Sequence, residues 1–386
     1  MQAVGATKAF RSGTHRTVCP EETLRRLEPR LTEFGVARVA DITGLDRVGI
    51  PVAQVVRPNA RSRIVSAGKG VDRTAAKASA VMEALERFHA ERVWAPLRLC
   101  SAAELRADEH ALELAECPAD ERVLWAAGFT LSGDRQIWVP FERVHLDQRL
   151  PLPDGSGFFV RGSSGLGSGN TFAEAVLHGV CELIEHDATA LFRQRTPHDR
   201  ARRVVAFEGI DDALCIGLMQ RFIDAQLQLT IFDATTDVRV PCFVCVVREH
   251  DVSGERAVGP VHGAGCHTSR AIALARALCD AAQQRVLRIA GLAAPEPAVL
   301  EAVRASGAEI KFRDTPTFEG KTLEEDIAML RQKLEMASIE VAVVDLSRAK
   351  YPLYVVRAVA NGLEGDARAA GYRPGARARS VMQEVA

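Results

Sequence analysis

The 386-residue sequence has almost no surplus charge: 49 Lys and Arg face 50 Asp and Glu, for a formal net charge of −1. So even a balance argues against a nucleic-acid or membrane-surface protein that works by bulk electrostatics. Any anionic ligand must then be held by local groups. No apolar run approaches the ~20 residues of a membrane span, and the opening MQAVGATKAFRSGTHR lacks the apolar core of a signal peptide. The expectation is a soluble, cytoplasmic chain. There is no GxxxxGK[ST] phosphate loop. GSSGLGSG lacks the GxSxG frame of a serine nucleophile elbow. No two of the ten His stand at zinc-ligand spacing: His178 and His186 are too far apart on one helix, and His262 and His267 lie in a loop. Nine Cys, an odd and scattered number, point to reduced, buried thiols. Cys242 and Cys245 form a Cys-x-x-Cys inside the strand-like VPCFVCVV, where core packing outweighs a redox or zinc role. No low-complexity linker divides the chain, which reads as one domain over 1–386, with a core at about 8–365 and an Ala/Arg/Gly-rich tail, 366–386, expected to be mobile.

What is present is a pattern of strands, glycine turns and long helices. Apolar periodicity predicts long helices at about 73–93, 171–194, 269–290 and 321–337, and shorter ones at about 21–33, 102–115, 210–225 and 296–306. Val36–Ile42 and Ile50–Val56 read as strands. Pro51, Pro140, Pro241 and Pro352 are read as marking strand starts, where proline is tolerated. The order implies an α+β (mixed α/β) fold with helices packed on mixed sheets. Strand, turn and helix recur about three times with a period near 100, the spacing expected of an internally repeated unit.

Gly68-Lys69-Gly70 is followed, after twelve residues, by Glu83 and Glu86; Gly167-Ser168-Gly169 is followed at the same distance by Glu182 and Glu185. A weaker third copy runs from Gly265-Cys266-His267 to Asp280 and Gln283. Residues three apart share a helix face, so each of the first two copies offers two adjacent carboxylates. Glu174, Glu182 and Glu185 fall in one stripe of a mostly apolar helix, so they are not a simple solvated face. Such carboxylates repel one another unless cations neutralise them, and Mg²⁺ takes oxygen ligands and is shared with phosphates. The glycine and serine run before Asn170 offers backbone N–H groups at a helix start, an anion site in outline. Thr171 with Glu174 also fits a capping box. Lys69 suits either a phosphate contact or an exposed turn, and Arg276 either a phosphate contact or a helix pair with Asp280.

Three segments, SAGKGVDRTAAKASAVMEALER, GSSGLGSGNTFAEAVLHGVCELIEHDA and GAGCHTSRAIALARALCDAAQQR, resemble the YcaO superfamily in order and over about residues 8–365. The resemblance implies a site of clustered glutamates that binds ATP and Mg²⁺. Members phosphorylate a peptide backbone amide oxygen, and a nucleophile then attacks the amide carbon. By motif, Glu83, Glu86, Glu182 and Glu185 correspond to Mg²⁺ ligands. Asn170, Glu174 and Arg276 correspond to ATP contacts; HRTVCPEETLRRL adds Arg16 and Thr23, and Lys69 joins them from the first turn. KAFRSGTHRTVCPEETL and GLDRVGIPV are similar to the branch encoded with TfuA proteins, associated with peptide thioamidation. The sequence carries neither a fused N-terminal partner domain nor the PxPxP C-terminus of azoline-forming members. The implied partners are a TfuA-type protein and a precursor peptide, with a homodimer compatible. An azoline-forming cyclodehydratase is the alternative. His186, Asp280 and Ala360-Asn361 depart from the family pattern, and a nucleotide-binding scaffold without turnover is the second alternative. No residue is assigned as a general base.

Overall fold

The described residues build three sheets of three or more strands, each with one long helix laid on it, and a two-stranded pair. The structure, a computed structural model, describes residues 5–385 apart from 109, 115–116, 118–119, 250–257, 294–309 and 370. After helix α1 (Pro20–Leu27), the first sheet is β1 (Arg38–Asp41), β2 (Val52–Val56) and β3 (Val65–Lys69), in that spatial order, followed by α2 (Arg73–Ala90). Next come β4 (Leu97–Ser101), α3 (Ala102–Asp108), β5 (Arg122–Thr130), β6 (Gln136–Pro140) and β7 (Leu166–Gly169), and then α4 (Phe172–Gln194) and α5 (Pro197–Ala201). The third sheet follows β8 (Val205–Ala206) and α6 (Ala213–Asp224). It is β9 (Leu227–Asp233), β10 (Cys242–Glu249) and β11 (Val261–Cys266), leading into α7 (Arg270–Ile289). After β12 (Ile310–Lys311) and α8 (Leu323–Met336), β13 (Val341–Asp345) and β14 (Tyr354–Ala360) complete the second sheet in the order β4-β5-β13-β14-β7, with β6 on β5. Helix α9 (Ala376–Val385) ends the described chain.

The three sheets are not mixed. Every pair in them is antiparallel, and the parallel pair among the described strands is the two-residue β8–β12. The helices cover sheet faces and do not serve as crossovers between parallel neighbours. Pro140 ends β6 where a start was expected, and there its missing N–H is not needed by the ladder. The expected helix at 102–115 extends over Ala102–Asp108, and the one at 296–306 lies outside the described residues. The tail expected to be mobile folds back on α4. Ala378 and Val381 of α9 pack on Leu191 of α4, and Arg377 Nε donates to Asp187 at 2.9 Å. Cys242 and Cys245 point to opposite faces of β10, into two different cores, and both are free thiols.

Glycine spacing sets how each long helix meets its strand. A Cβ on Gly68 would stand 2.0 Å from Ala80 N, one on Gly167 2.6 Å from Gly179 N, and one on Gly265 2.5 Å from Ala277 N. Strand and helix backbones therefore touch, twelve residues apart in each case. The helices also reach sideways: α2 lies on β3 and against β7, α4 on β7 and against β11, and α7 on β11 and against β3. Three strand–helix units thus close into a ring.

One core residue predicts acid sensitivity. His89 is fully buried among Phe34, Phe88 and Tyr351. Its Nδ1–H donates to Leu85 O at 2.7 Å, while Nε2 has no partner. Burial, against which the Leu85 carbonyl works, pushes the imidazole down to about 4. A His depressed in the fold contributes stability above its unfolded value that is lost as pH falls through the window from 6.5 to about 4. His89→Phe should remove on the order of 3 kcal/mol of that acid-dependent loss. Melting curves between those two pH values, compared with wild type, check it.

Candidate functional site

The ring places all ten residues singled out from the sequence on one cleft of about 310 Å³. Glu83 and Glu86 come from α2, Asn170 from the turn after β7, Glu174, Glu182 and Glu185 from α4, and Arg276 from α7. Lys69 ends β3, Arg16 comes from the segment leading into α1, and Thr23 from α1 itself. Each acid of a contact pair follows the glycine-contacting helix residue by three: Ala80 to Glu83, Gly179 to Glu182, Ala277 to Asp280. An i,i+3 neighbour lies beside the contact residue on the helix surface, which brings the acids to the rim where one unit meets the next.

The junctions between units are hydrogen-bonded at these acids. Ser168 Oγ donates to Glu86 Oε1 at 2.6 Å, Cys266 N donates to Glu185 Oε2 at 3.0 Å, and Lys69 pairs with Asp280. The middle residue of each turn therefore reaches an acid of the preceding helix in the ring. Lys69 is neither an idle exposed residue nor a free cation. Asp280 takes Lys69 and the Ala264 N–H, at 3.1 Å, and not Arg276, the helix pair that was one of the two alternatives for that arginine. Arg276 is left half-buried in the cleft wall with no hydrogen bond or ion pair to any described residue.

The four glutamates differ in partners but share one property. Glu83 Oε1 accepts from Arg87 at 3.2 Å and Glu182 Oε2 from the Gly165 N–H at 3.1 Å. Like Glu86 and Glu185, each gives one oxygen to a hydrogen bond with the protein and keeps the other outside any hydrogen bond to the described residues. Desolvation raises Glu86 to about 8; the Ser168 hydroxyl opposes this, and Glu182 and Glu83 add to it. Burial likewise raises Glu182, offset by His186 and increased by Glu185 and Glu83. His178 lies between Glu174 and Glu182 on α4. Burial and the charges of Arg276, Arg16 and Lys69 keep it far below the usual imidazole range, so it is neutral.

Glu174 is a different kind of acid. It is 1 % exposed, and its carboxylate is filled by Thr17 N at 2.5 Å, Thr17 Oγ1 at 2.6 Å and Asn170 N at 2.7 Å, with Arg16 Nη1 at 3.6 Å. Burial opposes its ionisation, but Arg16, Thr17 and Asn170 outweigh it and hold the carboxyl below the usual range. Thr171 caps Glu174 N at 3.2 Å, but the Glu174 side chain turns to Asn170 and Thr17 instead of completing the capping box. Asn170 Nδ2 donates to Thr23 Oγ1 at 3.0 Å.

The glycines of the turns face the following helix, and Gly169 lies so close that a Cβ would meet Glu174 Cβ at 2.2 Å. Sequence reasoning also missed Thr17, Arg87 and His178, none of which carries a spacing signal. Gln283 had one, since it stands where Glu86 and Glu185 stand in their own pairs; it is buried in the cleft wall with its Oε1 unpartnered. Arg368, from the segment read as a tail, lies near enough to Asp280 and Glu185 for their charges to favour its protonated form.

The profile described as YcaO cyclodehydratase, ATP- and Mg²⁺-binding, matches residues 67–364. The chain belongs to the YcaO family. Members of the family bind ATP and Mg²⁺ and activate peptide backbones. An uncharacterized protein in the tfuA 3′ region of Rhizobium leguminosarum bv. trifolii is 34 % identical over 378 residues, 91 % of this chain and 89 % of that one. An uncharacterized Methanothermobacter thermautotrophicus protein is 33 % identical over 382 residues, covering 90 % and 95 %. The fold matches YcaO from Methanopyrus kandleri bound with AMPPCP and Mg²⁺, at a TM-score of 0.77 and 21 % identity, over 96 % of this chain and 100 % of that one. It also matches a heterocyclase in complex with substrate and cofactor, at a TM-score of 0.77 and 21 % identity; there this YcaO chain spans 54 % of the other's length. No described helix is long and apolar enough to cross a membrane.

The donor set fits Mg²⁺ shared with phosphates better than a closed protein cage. Among the described residues no three His, Cys, Asp or Glu side chains converge tightly enough to hold a metal alone. Instead, four carboxylates line the cleft, each with one oxygen outside any hydrogen bond to the described residues. Mg²⁺ retains waters and binds through one or two carboxylates plus substrate phosphates, a demand such oxygens meet.

Proposed function

We propose that this YcaO protein uses ATP and Mg²⁺ to activate a backbone amide of a ribosomally made peptide, for replacement of the amide oxygen by sulfur. The reading is supported by the ring, in which Glu83, Glu86, Glu182 and Glu185 line one cleft together with the cations Arg16, Lys69 and Arg276. Mg-ATP supplies an electrophilic phosphoryl group and so turns the amide oxygen into a leaving group. The four glutamates hold Mg²⁺, and Arg276 and Arg16 hold phosphates. Thr23 and Asn170, paired with each other, line the nucleotide, and Glu174 fixes the segment that carries Arg16. The cleft is also lined by Phe10, Val18, Pro20, Val71, Ala75 and Met82, apolar side chains suited to a purine base. The protein's main work is positioning.

The name of the Rhizobium relative, in the tfuA 3′ region, supports the thioamide product and a TfuA-type partner. The family description and the heterocyclase fold favour a second reading, azoline formation from Cys, Ser or Thr. Mass spectrometry of the precursor peptide after incubation with this protein, its partner, Mg-ATP and sulfide separates them. A gain equal to sulfur minus oxygen supports thioamidation, and loss of one water supports the azoline. An unchanged peptide with ATP bound would leave a non-catalytic scaffold.

Arg276→Met should raise KM for ATP about tenfold, the worth of one charge-assisted hydrogen bond. Its melting temperature should stay unchanged, since Arg276 has no partner in the fold. Steady-state kinetics and a melt decide it; an unaltered KM removes Arg276 from the phosphate site.

A further inference from the structure

Asp326 lies in the first turn of α8, outside the cleft, and is 0 % exposed. Its carboxylate meets Lys8 Nζ at 2.6 Å, with both side chains shut off from solvent. It also accepts from the Gly320 N–H at 2.7 Å and from Thr268 Oγ1 at 3.2 Å. Lys8 Nζ donates to Gly320 O as well, at 2.9 Å. One buried acid thus joins two chain segments that each lead to a cation of the cleft.

The first is the N-terminal strand-like segment that ends in Arg16. Phe10 and Arg16 exchange backbone hydrogen bonds of 2.9 Å in both directions, closing a tight loop. Gly13, at φ +66°, turns at its tip and stands against Val71. Beyond the loop, Thr17 is bound to Glu174, and Arg16 Nη1 reaches Ser168 O at 3.3 Å. The loop is therefore strung between two buried acids, Asp326 at its outer end and Glu174 at its inner end, and forms one wall of the cleft. The second segment is Thr268-Ser269, where Ser269 is the N-cap residue of α7, the helix that carries Arg276.

A buried ion pair is a weak source of net stability, because desolvation offsets the attraction. Its value here lies in where it fixes the chain. We infer that the Lys8–Asp326 pair positions Arg16, and through Thr268 the start of the Arg276 helix, for the phosphates. Asp326 is a positioning residue; it touches no reacting group. The inference rests on the ATP reading of the cleft.

The test compares wild type, Asp326→Asn and the double variant Lys8→Met/Asp326→Asn for melting temperature, affinity for the Mg-complex of a non-hydrolysable ATP analogue, and kinetics on the precursor peptide. Asp326→Asn leaves the Lys8 ammonium buried and unpaired, so its melting temperature should fall. The double variant removes the stranded charge and should recover the melting temperature. In both, nucleotide affinity should drop about tenfold or more while kcat at saturating ATP changes less than about threefold, because misplacement is read in binding. A purely structural pair would return nucleotide affinity together with stability in the double variant, and that result overturns the inference. So does unchanged affinity in Asp326→Asn with wild type binding normally. A wild type that binds no nucleotide overturns the ATP reading itself, and this inference with it.

Discussion

Replacing Glu86 by Gln is expected to abolish ATP turnover and at the same time to stabilise the ligand-free protein at alkaline pH. The two effects have one cause. Glu86 is 6 % exposed and desolvated to about 8, against an ordinary value of 4.5. A folded value above the unfolded one means that the fold holds a proton the unfolded chain has released. Stability is then full below 4.5 and lost as pH rises through about 8. Gln is permanently neutral and keeps the hydrogen bond with Ser168, so it escapes that loss, which amounts to at most about 5 kcal/mol. Melts of the ligand-free proteins near about pH 5 and about pH 9 should show the variant gaining on wild type as pH rises. In the presence of Mg-ATP and peptide it should lose about 10²–10³ in rate, the scale of a deleted electrostatic stabiliser. A residue that impairs the fold and is needed for turnover is being kept for its charge. A variant that retains turnover would remove Glu86 from the metal site, and one that melts lower at alkaline pH would refute its desolvation.

The candidate site was legible because its spacing is a packing distance. Glycine contacts the helix twelve residues on, and the acid stands three beyond that contact, so Glu83, Glu182 and Asp280 occupy equivalent places on three helices. Long apolar-periodic helices such as α2, α4 and α7 were legible for the ordinary reason that their buried stripes run uninterrupted. What escaped was whatever depends on how the units are turned toward one another. Ser168 reaching Glu86, Cys266 reaching Glu185 and Lys69 reaching Asp280 are contacts between units, and no local pattern encodes them. The same holds for strand direction: sheets assembled from β5, β13, β14 and β7 across most of the chain gave no sequence sign of being antiparallel. The last segment reads as a loose tail because its composition is rich in Ala and Arg. Its partners, Asp187 and Leu191, lie on α4.

Gly68→Ala separates the two meanings a glycine turn can have. If the turn cradled phosphate, the variant would fold normally and bind ATP poorly. The geometry predicts the reverse emphasis, since the new Cβ would stand 2.0 Å from Ala80 N and 2.6 Å from its Cα. Both are backbone atoms of a buried helix, and no flexible side chain is available to yield. Overpacking a core with added methylenes costs about 1–3 kcal/mol and occasionally more. Backbone against backbone belongs at or beyond the upper end, because strand and helix must part. The expected result is a large drop in melting temperature or loss of soluble protein, whether or not ATP is present. Gly263→Ala is the matched control: its Cβ would lie 2.0 Å from Ala281 N, and neither of its neighbours His262 and Ala264 lines the cleft, whereas Ala67 and Lys69, the neighbours of Gly68, both do. Equal damage at both positions would show that the glycines are there to let helix and strand touch. A stable Gly68→Ala protein with weakened ATP binding would instead restore the phosphate-loop reading. The acids' alignment would then need another cause, because parting β3 from α2 shifts Glu83 and Glu86 away from Ser168 and the rest of the ring.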